Sequence, residues 1–217
     1  MKNFIFLFLM SISIACTSCN QSDVDDVNDT VDDIEDVDVT EDVTEDVPVP
    51  VSDMHGGSPT DVTWDTCGAM VGEHPCDFSL VDQEGDVFQL YDNYGSVILL
   101  DFSAMWCGVC NNIADHAQSF TEEFGNQGFI WVTILIDGRD YGVPPTESDI
   151  DFWCDQYGIE DAPVLAGDRS LVDLTATSGW PISSWPTLVI VNREMMISHG
   201  IHGWNEEVIR EWLGEVL

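Results

Sequence analysis

The sequence predicts an α/β fold in which a central mixed β-sheet is flanked by helices on both sides. Three features carry that prediction. Two continuous apolar runs, 96–102 and 129–136, read as strands buried on both faces. Each is followed by residues at helical spacing, and an apolar hairpin followed by a helix closes the chain.

Residues 78–81 and 87–90 flank Asp82-Gln83-Glu84-Gly85-Asp86, which has the chemistry of a turn, so an N-terminal β-hairpin is expected. Beyond the first buried run, Ile113, Ala117, Phe120 and Phe124 fall on one helical face, and Gly125 should end that helix. After the second run, Pro144-Pro145-Thr146 opens an inserted helix whose stripe is Ile150, Trp153, Cys154 and Tyr157. Pro163-Val164-Leu165 reads as a short strand. Residues 187–191 and 195–198 should pair around Asn192-Arg193-Glu194. A last helix is expected from about Asn205 to Leu217, with Glu206 and Glu207 favourably placed against its dipole.

Composition narrows the function. The chain has 217 residues, 41 acidic against five basic, and a formal charge of −36. Phosphate backbones are held by clustered Lys and Arg, so a nucleic-acid partner is excluded. A polybasic patch for anionic lipid is equally absent. Hydrophobic residues make up 44%, with eight Trp and ten Phe, which is enough for a real core.

The N-terminus points to export. Lys2 precedes an apolar run from Phe4 to Ala15, long enough for a signal peptide and too short to span a bilayer. Residues 1–15 are therefore read as a signal. Ser13-Ile14-Ala15-Cys16 resembles a bacterial lipobox, with Ser13 where such motifs usually have Leu. Cys16 is the expected lipidation site, Cys19 the alternative, and a plain secretory signal the blander reading. Residues 16–60 then form an acidic tether: fourteen acids and no base stand between Asn20 and Asp53, with Asp-Val recurring and no aromatic residue. Such a segment cannot offset its ordering entropy. It lacks the Gly-centred spacing of a calcium loop, so it reads as a spacer. The folded domain is assigned to 61–217, and it is acidic in its own right, with 27 acids against four Arg beyond residue 53.

The chemistry lies in Trp106-Cys107-Gly108-Val109-Cys110, at the junction of the first buried strand and its helix. A Cys pair at this spacing could be half of a zinc site, but no second Cys or His pair has the spacing to complete one. At a helix N-terminus, unpaired backbone N–H groups and the dipole stabilise a thiolate. A lowered thiol pKa makes Cys107 a nucleophile, and Cys110, one turn on, is placed to resolve a mixed disulfide.

The run Asp101-Phe102-Ser103-Ala104-Met105-Trp106-Cys107-Gly108-Val109-Cys110 resembles the active-site segment of the thioredoxin superfamily. Trp185-Pro186-Thr187, directly before a strand, resembles that family's cis-proline loop. The entry hairpin and the inserted helix resemble the TlpA-like branch, membrane-tethered thiol-disulfide oxidoreductases of the bacterial envelope, over about residues 76–217. The resemblance implies a three-layer thioredoxin-like fold and a buried proton-transferring acid at Asp101. It also implies a substrate groove formed by Trp106, Trp185, Pro186 and Thr187. Burial should raise the pKa of Asp101 so that it can take the Cys110 proton. Two departures stand out. Gly-Val replaces the Pro-containing dipeptide common between the two Cys, and Ile113 stands where some relatives of this branch carry a Glu.

Cys67 and Cys76, in an exported loop-like stretch, suit a structural disulfide. Cys154 reads as an inert core thiol. His199 and His202 could suggest copper, but copper chaperones of this fold use a Cys-x-x-x-Cys spacing, so neither metal nor cofactor is expected. The expected partners are thiol- or disulfide-bearing exported proteins and an upstream redox donor or acceptor, met by a monomer lipid-anchored in the cell envelope and facing the periplasm or cell surface. A thiol peroxidase of the same fold is the first alternative, although the Pro-x-x-x-Thr-x-x-Cys pattern is missing around Cys107. A non-catalytic surface lipoprotein with a structural Cys pair is the second.

Overall fold

The computed structural model describes residues 62–176 and 179–217. The expected signal, the anchor cysteines Cys16 and Cys19, and the tether through residue 60 lie outside the described residues.

An N-terminal hairpin, β1 (Ser79–Val81) and β2 (Val87–Gln89), forms a separate two-stranded antiparallel sheet. The central sheet holds β3 (Val97–Ala104), β4 (Phe129–Asp137), β5 (Val164–Ala166), β6 (Thr187–Val191) and β7 (Ile197–His202). Its order is β5-β4-β3-β6-β7. The pairs β3–β4 and β4–β5 are parallel, whereas β6 runs antiparallel to both of its neighbours. All eight residues of β3 are buried, which is what its unbroken apolar run requires of a central strand.

Among the described residues, three α-helices join these strands: α1 (Gly108–Phe124), α2 (Glu147–Tyr157) and α3 (Glu206–Val216). On one face of the sheet, Val97, Leu99, Trp131 and Leu188 pack with Ile113, Ala117 and Phe120 of α1, Ile150 and Trp153 of α2, and Ile209 and Leu213 of α3. On the other, Ile98, Leu100, Phe102, Val132 and Ile134 meet Leu90 and Tyr91 of a one-turn 3-10 helix, together with Trp180 and Ile182. The third layer is thus built largely from the hairpin, short turns and an irregular segment. Strand alternation decides which residue faces which layer, and it places Asp101 on the α1 side, in step with Val97 and Leu99.

Helix ends follow the local chemistry. The α1 helix stops at Phe124, and the chain makes one further 3-10 turn that Gly128 closes with φ +76°. Thr146 caps α2 in a reciprocal capping box with Asp149. The Asn205 side chain accepts the Val208 N–H at 3.3 Å to cap α3.

The second arm of the C-terminal hairpin differs from the expected 195–198. The Asn192 Oδ1 accepts the Glu194 and Met196 N–H groups at 3.2 and 2.9 Å, holding a longer turn. Within it Met195 adopts φ +55° and buries its side chain completely. Pairing therefore resumes only at Ile197, then runs on to His202 opposite Thr187. Cys154 also departs from expectation: it is half-buried, because the fully packed positions of α2 are Ile150 and Trp153.

Cys67 and Cys76 are disulfide-bonded and close a loop that docks on the edge strand β7. Gly72 N–H donates to the Ile197 carbonyl at 2.8 Å, and Ile197 N–H donates to the Glu73 carbonyl at 2.9 Å. Beside the loop, Trp64 stacks on His74 at 3.8 Å and donates to the Tyr91 hydroxyl at 2.9 Å, which fixes the start of the domain.

Candidate active site

Strand β3 runs through the middle of the sheet and delivers Met105, Trp106 and Cys107 at its C-terminal end, the usual place for chemistry on a parallel α/β sheet. Cys107 is the N-cap of α1 in extended conformation, and its sulfur accepts the Cys110 N–H at 3.2 Å. Cys110 sits within the first turn, is fully buried, and is disulfide-bonded to Cys107. Cys107 is 7% exposed, whereas Trp106 and Val109 on either side are 38% and 47% exposed. Although the domain is strongly acidic, the first turn of α1 carries no acidic residue. Nothing there opposes the preference of the helix N-terminus for a thiolate.

Asp101 lies fully buried on the same sheet face, between Thr133 of β4 and Leu188 of β6 in the register. One carboxylate oxygen accepts the Ser103 hydroxyl at 2.6 Å, while Oδ2 has no hydrogen-bond partner among the described residues. Burial pushes the Asp101 carboxyl up to about 7, against a smaller opposing pull from the Ser103 and Thr133 hydroxyls. It is a buried acid poised near neutral pH. Ile113, where a second carboxylate would stand in some relatives, is buried in the core and carries no charge.

The Trp185–Pro186 bond is cis, Pro186 is buried, and Trp185 is half-buried against both cores. Thr187 takes a different place from the groove position expected. Its side chain turns to the second face, where the hydroxyl donates to the Ser184 carbonyl at 2.8 Å and pairs with His202 Nδ1 at 2.9 Å. There it helps line an apolar cavity of about 510 Å³, together with Phe102, Trp180 and Val189. His199 stacks on Trp212 and faces Glu215 at 3.5 Å, so the two His are occupied by separate partners. Burial and the neighbouring Asp151 and Asp155 push the Cys154 thiol up to about 11, which keeps it unreactive.

Sequence reasoning missed a second cluster beside the Cys pair. Asp137, the last residue of β4, has a fully buried side chain. It accepts Arg169 Nε at 2.8 Å, Arg169 Nη2, and Trp106 Nε1 at 3.0 Å. Burial pushes this carboxyl up, but the Arg169, Gly142 backbone and Trp106 hydrogen bonds outweigh it and hold it below the ordinary range. The Arg169 guanidinium lies 4.4 Å over the Tyr141 ring and 5.8 Å from Trp185. The only signals in sequence were an Asp ending an apolar run and one Arg in an arginine-poor chain.

Residues 71–199, more than half of the chain, match the AhpC/TSA family. A thiol-disulfide oxidoreductase, ResA, from Halalkalibacterium halodurans is 23% identical over 147 residues, 67% of this chain and 76% of that protein. A thioredoxin from Coprinus comatus is 33% identical over 52 residues, 24% of this chain and about half, 49%, of that protein. Among solved structures, the exposed lipoprotein thioredoxin Etrx1 of Streptococcus pneumoniae superposes with a TM-score of 0.53 at 26% identity, covering 64% of this chain and 99% of that one.

Proposed function

The chain belongs to the AhpC/TSA family and is an oxidoreductase of thioredoxin-like fold, and on that premise we propose that it exchanges electrons with protein thiols and disulfides through Cys107 and Cys110. The observation that carries this is Cys107 as the N-cap of α1, with Cys110 bonded to it inside the first turn. In the reductive direction the Cys107 thiolate attacks one sulfur of a partner disulfide. A mixed disulfide forms and the other partner sulfur leaves as a thiolate, which takes a proton from water. Asp101 then accepts the Cys110 proton, and Cys110 attacks Cys107. The second partner thiolate is released and protonated, and the Cys107–Cys110 disulfide remains. Two electrons have passed from the dithiol to the partner, and the reverse sequence oxidises a partner dithiol.

Trp106 on one side and Trp185 with Pro186 on the other are the walls we assign to the partner's groove. The chain acts outside the cytoplasm as a monomer, lipid-anchored through Cys16 and held off the membrane by its acidic tether. Its partners are exported proteins bearing thiols or disulfides and an upstream redox donor or acceptor. The description of one solved relative as an exposed lipoprotein supports the anchor.

Redox titration followed by thiol counting tests this reading. A working pair opens within the range of biological thiol couples, roughly −120 to −300 mV. A Cys107–Cys110 bond still closed well below about −300 mV would make it a structural staple and overturn the proposal.

A further inference from the structure

Of the four arginines in the domain, three pair with partners other than Asp137. Arg139 pairs with Asp149, Arg210 with Glu123 and Glu206, and Arg193 holds three backbone carbonyls. Arg169 is placed differently. Its Nε and Nη2 form a two-pronged pair with the buried Asp137, with Nη1 outside that fork, and the Tyr141 side chain also hydrogen-bonds the guanidinium. The side chain is 37% exposed although its carboxylate partner is completely buried. Its guanidinium is flanked by Tyr141 and, farther off, by Trp185, while Trp106 shares the same carboxylate and packs on Tyr141 at 5.3 Å. The cation therefore stands where both proposed walls of the groove meet, its rotamer already fixed.

We propose that Arg169 is a specificity-determining residue, selecting partners that carry an Asp or Glu beside the reacting cysteine. This rests on the thiol-disulfide exchange proposed above. A guanidinium donates to further oxygens in its own plane, and one already ordered by a first carboxylate loses little entropy in binding a second group. The domain beyond residue 53 carries 27 acids against four Arg, so most of its surface would repel such a segment, while Arg169 attracts it where it aligns the chemistry. Asp137 is the positioning residue in this arrangement. It orients Arg169 and Trp106 together and is itself sealed from the partner.

The test uses the reduced full-length chain and short peptides whose single Cys is blocked with thionitrobenzoate. Asp, Asn or Lys is placed before the Cys in one series and after it in another. Each rate of thionitrobenzoate release is divided by the rate with 2-mercaptoethanol. In at least one series the Asp peptide should react roughly threefold or more faster than the Asn peptide at low salt, with Lys slowest and the differences shrinking as salt is added. In D137N/R169Q, which removes the buried pair together, the ratio of Asp to Asn rates should fall to about one. Equal Asp and Asn rates in wild type, or an unchanged ratio in the folded double variant, would overturn the assignment. The wild-type comparison stands even if the variant does not fold. Hydroxyethyl disulfide serves as an uncharged control. If wild type reduces neither it nor any peptide, the oxidoreductase reading has failed; if it reduces the control without discriminating charge, only the Arg169 inference has.

Discussion

Replacing Asp101 by Asn tests whether the buried acid is held near neutral pH. In the folded protein burial raises its carboxyl to about 7, from an ordinary value of 3.8. The sign follows from linkage. A raised folded-state value means that the native state holds the proton more tightly than the unfolded chain. The associated stability is fully present below about pH 4 and is lost as pH rises through 7. A shift of about three units corresponds to roughly 4 kcal/mol lost by pH 9. Asn cannot ionise, so D101N escapes that loss. It also buries an amide donor at the position where Oδ2 has no partner among the described residues, a cost of about 1–3 kcal/mol that does not vary with pH. The informative quantity is therefore the change with pH. Between pH 5 and pH 8.5 the stability of D101N relative to wild type should improve by about 2.5 kcal/mol. For a domain of this size that is roughly 5–10 °C in melting temperature. Urea unfolding of the oxidised proteins at the two pH values measures it. A difference that stays constant with pH would refute the raised value and remove Asp101 as the proton acceptor for Cys110.

Three further outcomes are expected. In the reduced protein iodoacetamide should modify Cys107 at least tenfold faster than Cys110 or Cys154, and D101N should slow resolution of a mixed disulfide while leaving that first alkylation nearly unchanged; peptide mapping and stopped-flow quenching read these rates. Changing Cys67 and Cys76 together to Ser should destabilise the domain by about 2–3 kcal/mol in urea, because the bridge closes a short loop docked on β7. Labelled palmitate should enter the wild-type chain during growth and be lost in Cys16→Ala, which should also leave the membrane fraction; label persisting in that variant would move the anchor to Cys19.

Much of this fold was legible because its central strands are buried on both faces, so β3 and β4 stand out as unbroken apolar runs with a helix-spaced stripe behind each. Position alone made Cys107 and Cys110 the candidate pair, and the structure places them at the N-cap and in the first turn of α1. Other features depend on contacts between distant residues and left little local trace. The Asp137 cluster joins residues 106, 137, 141 and 169, which no periodicity links. The start of β7 was hidden because Asn192 extends the turn through its side chain and Met195 buries itself in a left-handed conformation. Thr187 was assigned to the groove from its place after Pro186, but strand alternation turns its hydroxyl to the opposite face.

Trapping the covalent intermediate tests the central claim most directly. Cys110→Ala removes the resolving thiol and leaves the Cys107 nucleophile at the N-cap of α1. Incubated reduced with a disulfide-bonded peptide, this variant should accumulate a one-to-one adduct that mass spectrometry maps to Cys107, and reductant should release it. Wild type under the same conditions should show the Cys107–Cys110 disulfide and free peptide thiol with little adduct. If Cys110→Ala forms no adduct, or if the peptide is found on Cys67, Cys76 or Cys154, then Cys107 is not the exchanging thiol.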